Sequence, residues 1–432
     1  LRLCRNSLAW RYLRLTMAVL LAAAAAPQDP ASIARTRIPE MEKTLKENIL
    51  GFWLPRTIDR ENGGYVINFG PKGEAQGPGN RTLVTQSRMV WFFARTARAG
   101  YGGKELLDAA DHGYRYLREK MWDPKHGGFY WEVDARGKPV REVKHLYGQS
   151  FALYALSEYA LASKRKDVLA FAVSFFDLLE KKAHDKVHGG YLETFERDWS
   201  PTPEGAETPM RPAGLKLMNT HLHLMEAMTT FQQASRVPAA GERLRELIDI
   251  QSNSVVRKDL GGCTDKYARD WTPQLEGDYG RVSYGHDIEN VWLLMEARNA
   301  AGVSNYPLLD LYRTLWSYSL EYGYDAQKGY FFDSGFPRKS ADRRNSYWWV
   351  QAEALVSALR MFEMTREPQY LRLFEQIWEF TKRAHIDGAN GEWHEVVTPE
   401  GEVRGSKAHG WKAAYHNGRA MIECIEALRR LR

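Results

Sequence analysis

Apolar positions along this chain follow two helical patterns that take turns. Six segments carry one apolar stripe on an otherwise charged surface: 34–53, 104–121, 167–182, 241–256, 306–322 and 369–384. Six others are apolar round most of their circumference: 82–95, 146–162, 216–232, 285–301, 347–362 and 414–431. A helix with a single stripe lies at a surface, whereas one that is apolar on nearly all sides must be enclosed by others. The two kinds alternate along the chain, outer then inner. The pattern therefore predicts an all-α fold, an (α/α)6 barrel of twelve helices with short β-hairpins in the connecting loops.

Between each outer segment and the next inner one stands a glycine turn followed by an aromatic or a near copy of one. The turn glycines are Gly64, Gly128, Gly190, Gly262, Gly329 and Gly391, at intervals of 62 to 72 residues. The copy at Gly262, Gly-Gly-Cys-Thr-Asp, is degenerate. A repeat of this length signals stacked supersecondary units, and glycine admits the positive φ that such turns need. No Pro/Ser-rich linker divides the repeats, so residues 27–432 read as one catalytic barrel domain. The stretch 200–212, rich in Pro, Glu and Thr, reads as a surface loop. Most of the 14 Trp and 22 Tyr are expected in the core.

Residues 1–26 stand apart. Arg11 and Arg14 precede an apolar run from Leu15 to Ala26 that ends in five alanines, the pattern of a cleaved export signal. The run is too short for a membrane span. The expectation is an exported protein, periplasmic or secreted, with the mature chain starting near Pro27. Cleavage would remove four arginines and no acid, lowering the net charge from +6 to +2. So small a charge predicts no nucleic-acid partner and, after cleavage, no membrane partner. Neither zinc-type Cys/His spacing nor a phosphate loop is present, and the chemistry is expected to run without metal or cofactor. Whether Cys263 and Cys424 pair is left open by the sequence.

Candidate chemistry gathers at the starts of the inner segments. It comprises Arg88, Tyr147 with Gln149, Asn219 with His223, His286 with Glu289, Trp349 with Glu353, and Trp411 with His416. In a barrel of parallel inner helices these groups converge on one mouth. Taken singly, each has a plain structural explanation: a hydrogen-bonded core histidine, an Arg88 ion pair with Glu289 or Glu353, or indoles that fill volume. Their recurrence in corresponding places favours a wet functional cavity, because burying polar groups elsewhere costs free energy. Histidines outnumber the carboxylate pair that a glycosidase requires. Imidazoles suit proton abstraction beside a carbonyl. His286 and His416 lie near helix N-termini, which favour the neutral, basic ring, and Arg88 could stabilise an enediolate oxygen.

Several stretches together carry a family likeness: Gln86-Ser-Arg-Met-Val-Trp, the run from His145 to Tyr159, Met218-Asn-Thr-His-Leu-His, Tyr284-Gly-His-Asp-Ile-Glu, Trp348-Trp-Val-Gln-Ala-Glu and Tyr415-His-Asn-Gly-Arg-Ala. The chain resembles the N-acylglucosamine 2-epimerase superfamily and, within it, the cellobiose 2-epimerases. The resemblance implies cofactor-free epimerisation at C2 of the reducing-end glucose in β-1,4-linked disaccharides such as cellobiose, lactose and mannobiose. It implies His286 and His416 as the acid/base pair acting through a cis-enediolate after ring opening. It further implies His223 and Glu289 in ring opening and orientation, and Arg88 on the enediolate oxygens. Trp349, Trp411 and Tyr147 would flank the sugars, Asn219 and Glu353 would hold hydroxyls, and Trp292 is a weaker member of the set. The expected partner is a small disaccharide, and the chain a monomer or weak dimer. Two other readings stay open: an aldose–ketose isomerase on the same barrel, and an exported glycosidase or inactive sugar-binding barrel that relies on Glu289 and Glu353.

Overall fold

The computed structural model describes residues 29–210 and 213–432, so the expected export signal at 1–26 lies outside the described residues. Among the described residues, twelve long helices alternate as the pattern predicts. They pair, outer then inner, as α1 (Pro30–Lys43) with α2 (Leu83–Arg98), α3 (Lys104–Tyr116) with α4 (Leu146–Ser163), and α5 (Lys166–Lys182) with α6 (Met218–Ser235). The remaining pairs are α7 (Pro238–Asp249) with α8 (Tyr284–Ala300), α9 (Leu309–Gly323) with α10 (Trp348–Thr365), and α11 (Pro368–Ala384) with α12 (His416–Arg430). On α11 the buried residues Tyr370, Leu371, Phe374, Ile377, Trp378 and Thr381 form one stripe. On α4 every residue from Leu146 to Ala160 is buried. The difference between one stripe and full enclosure is what sorts the helices into two rings. The inner ring closes where Arg95 of α2 meets Glu423 and Glu426 of α12 at 3.0 and 2.8 Å.

Two-residue strands stitch neighbouring repeats at the N-terminal ends of the inner helices. Arg81–Thr82 pairs antiparallel with Glu132–Val133, Lys144–His145 with Thr194–Phe195, and Lys216–Leu217 with Lys266–Tyr267. Val282–Ser283 pairs with Ser334–Gly335, and Ser346–Tyr347 with Val396–Val397. A bridge between Phe69 and Ala408 joins the first repeat to the last.

Most glycine turns are locked from two sides, by residues the repeat pattern alone did not single out. An aspartate opens most turns and accepts hydrogen bonds from the next two backbone amides but one: Asp59, Asp123, Asp185, Asp325 and Asp387 all do so. Four of these also pair with a largely buried cation, namely Arg81, Lys144, Lys216 and Lys407. From the other side an inner-helix side chain grips the residue one or two places past the last turn glycine. Gln86, Gln149 and Gln351 each bind both the N–H and the C=O, of Tyr65, Phe129 and Phe331 respectively. His221 accepts from the Tyr191 N–H and Asp287 from the Cys263 N–H, both at 2.9 Å. Gly190, at φ +69°, leaves room for this grip, since a Cβ there would lie 2.8 Å from His221 Nε2.

One expectation is revised by this arrangement, and one open question is answered. Gln149, grouped with Tyr147 in the sequence, belongs to the turn clamp and not to the mouth, because two residues along a helix the side chain faces the other way. Cys263 and Cys424 are both buried and free, which answers the question of their pairing. Among the described residues no helix is long and apolar enough to cross a membrane. Replacing Gln149 by Leu should strand the Phe129 N–H and C=O, at roughly 1–3 kcal/mol for each group. Urea denaturation should show the loss, with kcat unchanged because the clamp faces away from the mouth.

Candidate active site

All six inner helices begin at the same end of the barrel, and their N-terminal turns line its mouth. The rim is aromatic. Trp411 is 40% exposed and lies 5.9 Å between ring centroids from both Tyr147 and Trp131. His286, third residue of α8, packs on the Trp349 indole at 4.8 Å, and His416, first residue of α12, lies 5.7 Å from the same indole. The two imidazoles thus share one neighbour. Gly285 permits this, because a Cβ there would sit 2.6 Å from Trp349. His223 packs on Tyr147 and Phe151 at 5.3 and 4.8 Å. Asn219 is half-buried, with an Oδ1 that meets no protein donor.

Arg88 sits among these rings without a carboxylate partner among the described residues. Its guanidinium lies 4.3 Å from the Phe151 ring centroid and 4.7 Å from that of Tyr415. It donates to the Trp411 carbonyl at 2.6 Å and to the Tyr147 hydroxyl at 3.0 Å. The sequence allowed an ion pair between Arg88 and Glu289 or Glu353; the structure gives both acids to another arginine.

That arginine is Arg419, which the sequence reading did not single out. It is 1% exposed and reaches three carboxylates: Glu353 at 2.7 Å, Glu289 at 2.8 Å, and Glu226. Glu353 also meets His416 Nδ1 at 2.6 Å and accepts from Trp292 Nε1 at 2.9 Å. Glu226 meets His223 Nδ1 at 3.0 Å and accepts from the Tyr415 hydroxyl at 2.6 Å. Two of the expected roles change accordingly. Glu353 is buried with three protein donors on its oxygens, which makes it a support for His416 more than a rim group, and buried Trp292 lies beneath the mouth supporting Glu353. Glu289 likewise is fully buried against Arg419. The missed residues carried a readable signal: Glu226 is three positions after His223, and Arg419 three after His416, on shared helix faces.

Burial dominates the proton affinities here. It lowers His286 to about 4, aided by the nearby His223. Burial also lowers His223, and it drives His416 well below its usual value with help from Arg88 and Arg419. Neutral rings with Nδ1 against a carboxylate leave Nε2 as the free base. Burial pushes Glu226 upward, but Arg419, His223 and Tyr415 outweigh it and hold this acid at about 2. Glu289 goes the other way, well above the carboxylate range, through burial and the neighbouring Glu353. Burial lifts Glu353 too, against the pull of Arg419 and the Trp292 N–H; with three donors on its two oxygens, the ionised form is the one its bonds fit. Three buried acids cannot all ionise around one guanidinium. Glu289, whose Oε2 lacks a partner, is the one that keeps its proton. Glu289, Glu353 and His416 bring ligand-type atoms within 4.8 Å of one another, but Arg419 already supplies positive charge to both acids.

Known proteins share the fold and about a third of the sequence. The family model of N-acylglucosamine 2-epimerase (GlcNAc 2-epimerase) matches residues 63–420. The cellobiose 2-epimerase of Bacteroides fragilis is 30% identical over 390 residues, which cover 89% of this chain and 98% of that one. The solved structure of cellobiose 2-epimerase from Spirochaeta thermophila DSM 6192 superposes with a TM-score of 0.84 at 34% identity, covering 94% of this chain and 99% of that one. The D-mannose isomerase of Marinomonas mediterranea is 26% identical over 88% of this chain and 95% of its own. Fold and likeness define a carbohydrate epimerase, an isomerase. The chain belongs to the N-acylglucosamine 2-epimerase family.

Two measurements test the electrostatics. With His286 titrating at about 4, the neutral form prevails above that pH. The profile of kcat/KM should therefore stay flat from neutrality down to about pH 5 and fall as pH drops through 4. His416→Ala should lower kcat by about 10²- to 10⁴-fold, the usual worth of a positioned acid/base, in a steady-state assay with the sugar that the unaltered enzyme converts.

Proposed function

We propose that the protein epimerises C2 of the reducing-end glucose in β-1,4-linked disaccharides such as cellobiose, lactose and mannobiose, without cofactor or metal. The observation that carries this reading is the pair of imidazoles, His286 and His416, packed on the one indole of Trp349 at the barrel mouth. In the proposed reaction the ring opens, exposing the C1 carbonyl that acidifies the C2 proton. One imidazole, neutral, removes that proton and becomes imidazolium; the other enters the step as imidazolium, delivers its proton to the opposite face and is left neutral. His223, held by Glu226, assists ring opening. Arg88, a cation without a carboxylate partner, offsets the charge that develops on the enediolate oxygens. Exposed Trp411 with Tyr147 offers an aromatic platform for the second sugar unit, and Asn219 a free acceptor for a hydroxyl.

The alternatives read less well against the same residues. A glycosidase needs two carboxylates facing the scissile bond, whereas Glu289 and Glu353 are buried and bound by Arg419. An aldose–ketose isomerase shares the enediolate and differs only in returning the proton to C1; the likeness to a D-mannose isomerase keeps it as the second reading. We take the enzyme to act as a monomer or weak dimer, exported by way of the segment at 1–26.

Incubation with cellobiose, lactose, mannobiose and mannose in D2O, followed by NMR, separates these readings. The expected product is the C2 epimer of a disaccharide with deuterium at C2. A ketose labelled at C1 would give the isomerase reading instead, and free monosaccharides from a disaccharide would overturn both.

A further inference from the structure

Arg419 is the one group that touches the carboxylate partners of two mouth histidines, Glu353 of His416 and Glu226 of His223. Its guanidinium is pressed between aromatic faces, 4.7 Å from the Trp292 ring centroid and 4.3 Å from that of Tyr415. A planar fork with five donors serves several acids at once, which a lysine ammonium on its flexible stem does not. Without this cation, buried carboxylates in mutual contact take up protons, and the imidazoles lose the acceptors that fix their orientation.

The far side of the same guanidinium faces away from the sugar. Arg419 and Glu226 both line a cavity of about 450 Å³ that also involves Trp91, Thr230, Gln233 and Arg360. It lies toward the C-terminal ends of the inner helices, opposite the mouth. Along α6 the residues Glu226, Thr230 and Gln233 share one face and lead from the buried acid to exposed Gln233. Three buried N–H groups of lining residues, Trp91 Nε1, Arg360 Nε and Arg419 Nε, meet no protein acceptor. Buried donors of this kind call for water, so the cavity is a polar passage from solvent to the back of the catalytic layer.

We propose that Arg419 is the positioning residue of the proton-transfer centre, holding the His416–Glu353 and His223–Glu226 pairs as one rigid unit, and that the floor cavity gives small polar solutes access to it. The inference rests on the reading of His286 and His416 as the groups that move a proton at C2. It adds a residue that acts through others and a second opening to the barrel.

The test uses the full-length enzyme and the disaccharide it converts. Arg419→Ala should lower kcat by about 100-fold, the cost of misplacing a reacting group by an ångström or so, with KM held within about threefold. Guanidinium ion should restore about a tenth or more of the lost rate, and uncharged urea none. Full kcat in the variant, or equal rescue by urea, overturns the positioning role. Adding Gln233→Trp at the cavity rim should raise the guanidinium concentration needed for rescue, while Gln233→Trp alone keeps the parent rate. Unaltered rescue overturns the floor route. Because removing the cation can unfold the chain, Arg419→Lys gives a second reading. Its kcat should fall about tenfold, and the acid limb of its pH profile should move upward as Glu226, held low by the guanidinium, takes up a proton more readily. Unchanged kcat and profile overturn the role. Absence of C2 deuterium exchange in the parent enzyme would instead sink the reaction itself, which keeps the two failures distinct.

Discussion

Enclosing six helices in one ring takes their polar groups out of water, and every such group must find its partner inside the ring. Most of the architecture can be understood as an answer to that constraint. Near the mouth, Gln86, Gln149, His221, Asp287 and Gln351 spend their polar atoms on the backbone of the hairpins. These bonds hold the turns against the helix starts and so set the level of the mouth. Deeper in, the demand is met by charge: one guanidinium satisfies three acids, and those acids in turn hold the rings of His223 and His416. Chemistry at the mouth is thus stabilised by the same satisfaction of buried groups that holds the ring together.

Much of this was legible in the chain. Enclosure and exposure leave different apolar patterns, so the order of outer and inner helices could be read directly, with boundaries off by a few residues once the π-helical turns Thr44–Leu50, Leu117–Met121 and Ile250–Ser254 that extend the outer helices are counted. The imidazoles stood out because His286 and His416 interrupt otherwise apolar starts. Less legible was which polar residue faces which way. Gln149 stands two positions from Tyr147, a rotation that sends it to the hairpin. Glu353 and Trp292 look like sugar contacts in one dimension and are support in three.

The residues that escaped notice share a cause. Glu226 and Arg419 lie one turn deeper than the histidines they serve, where an isolated charge usually pairs locally. The acids come from α6, α8 and α10 and meet Arg419 of α12, and no spacing within a single helix encodes that meeting. The aspartates at 59, 123, 185, 325 and 387 were missed for a different reason: attention to glycine hid the residue four or five places before it, though it recurs with the same regularity.

The bridge between Phe69 and Ala408 makes the junction of the first and last repeats equivalent in kind to the junctions between the others. Arg429 near the end of α12 also pairs with Glu42 of α1 at 2.7 Å. Nothing in the ring then marks where the polypeptide starts. A chain with its natural ends joined and a new opening cut in an exposed loop, such as that near Gly205, would retain every repeat-to-repeat contact; the order of synthesis is a historical fact about this molecule more than a mechanical one.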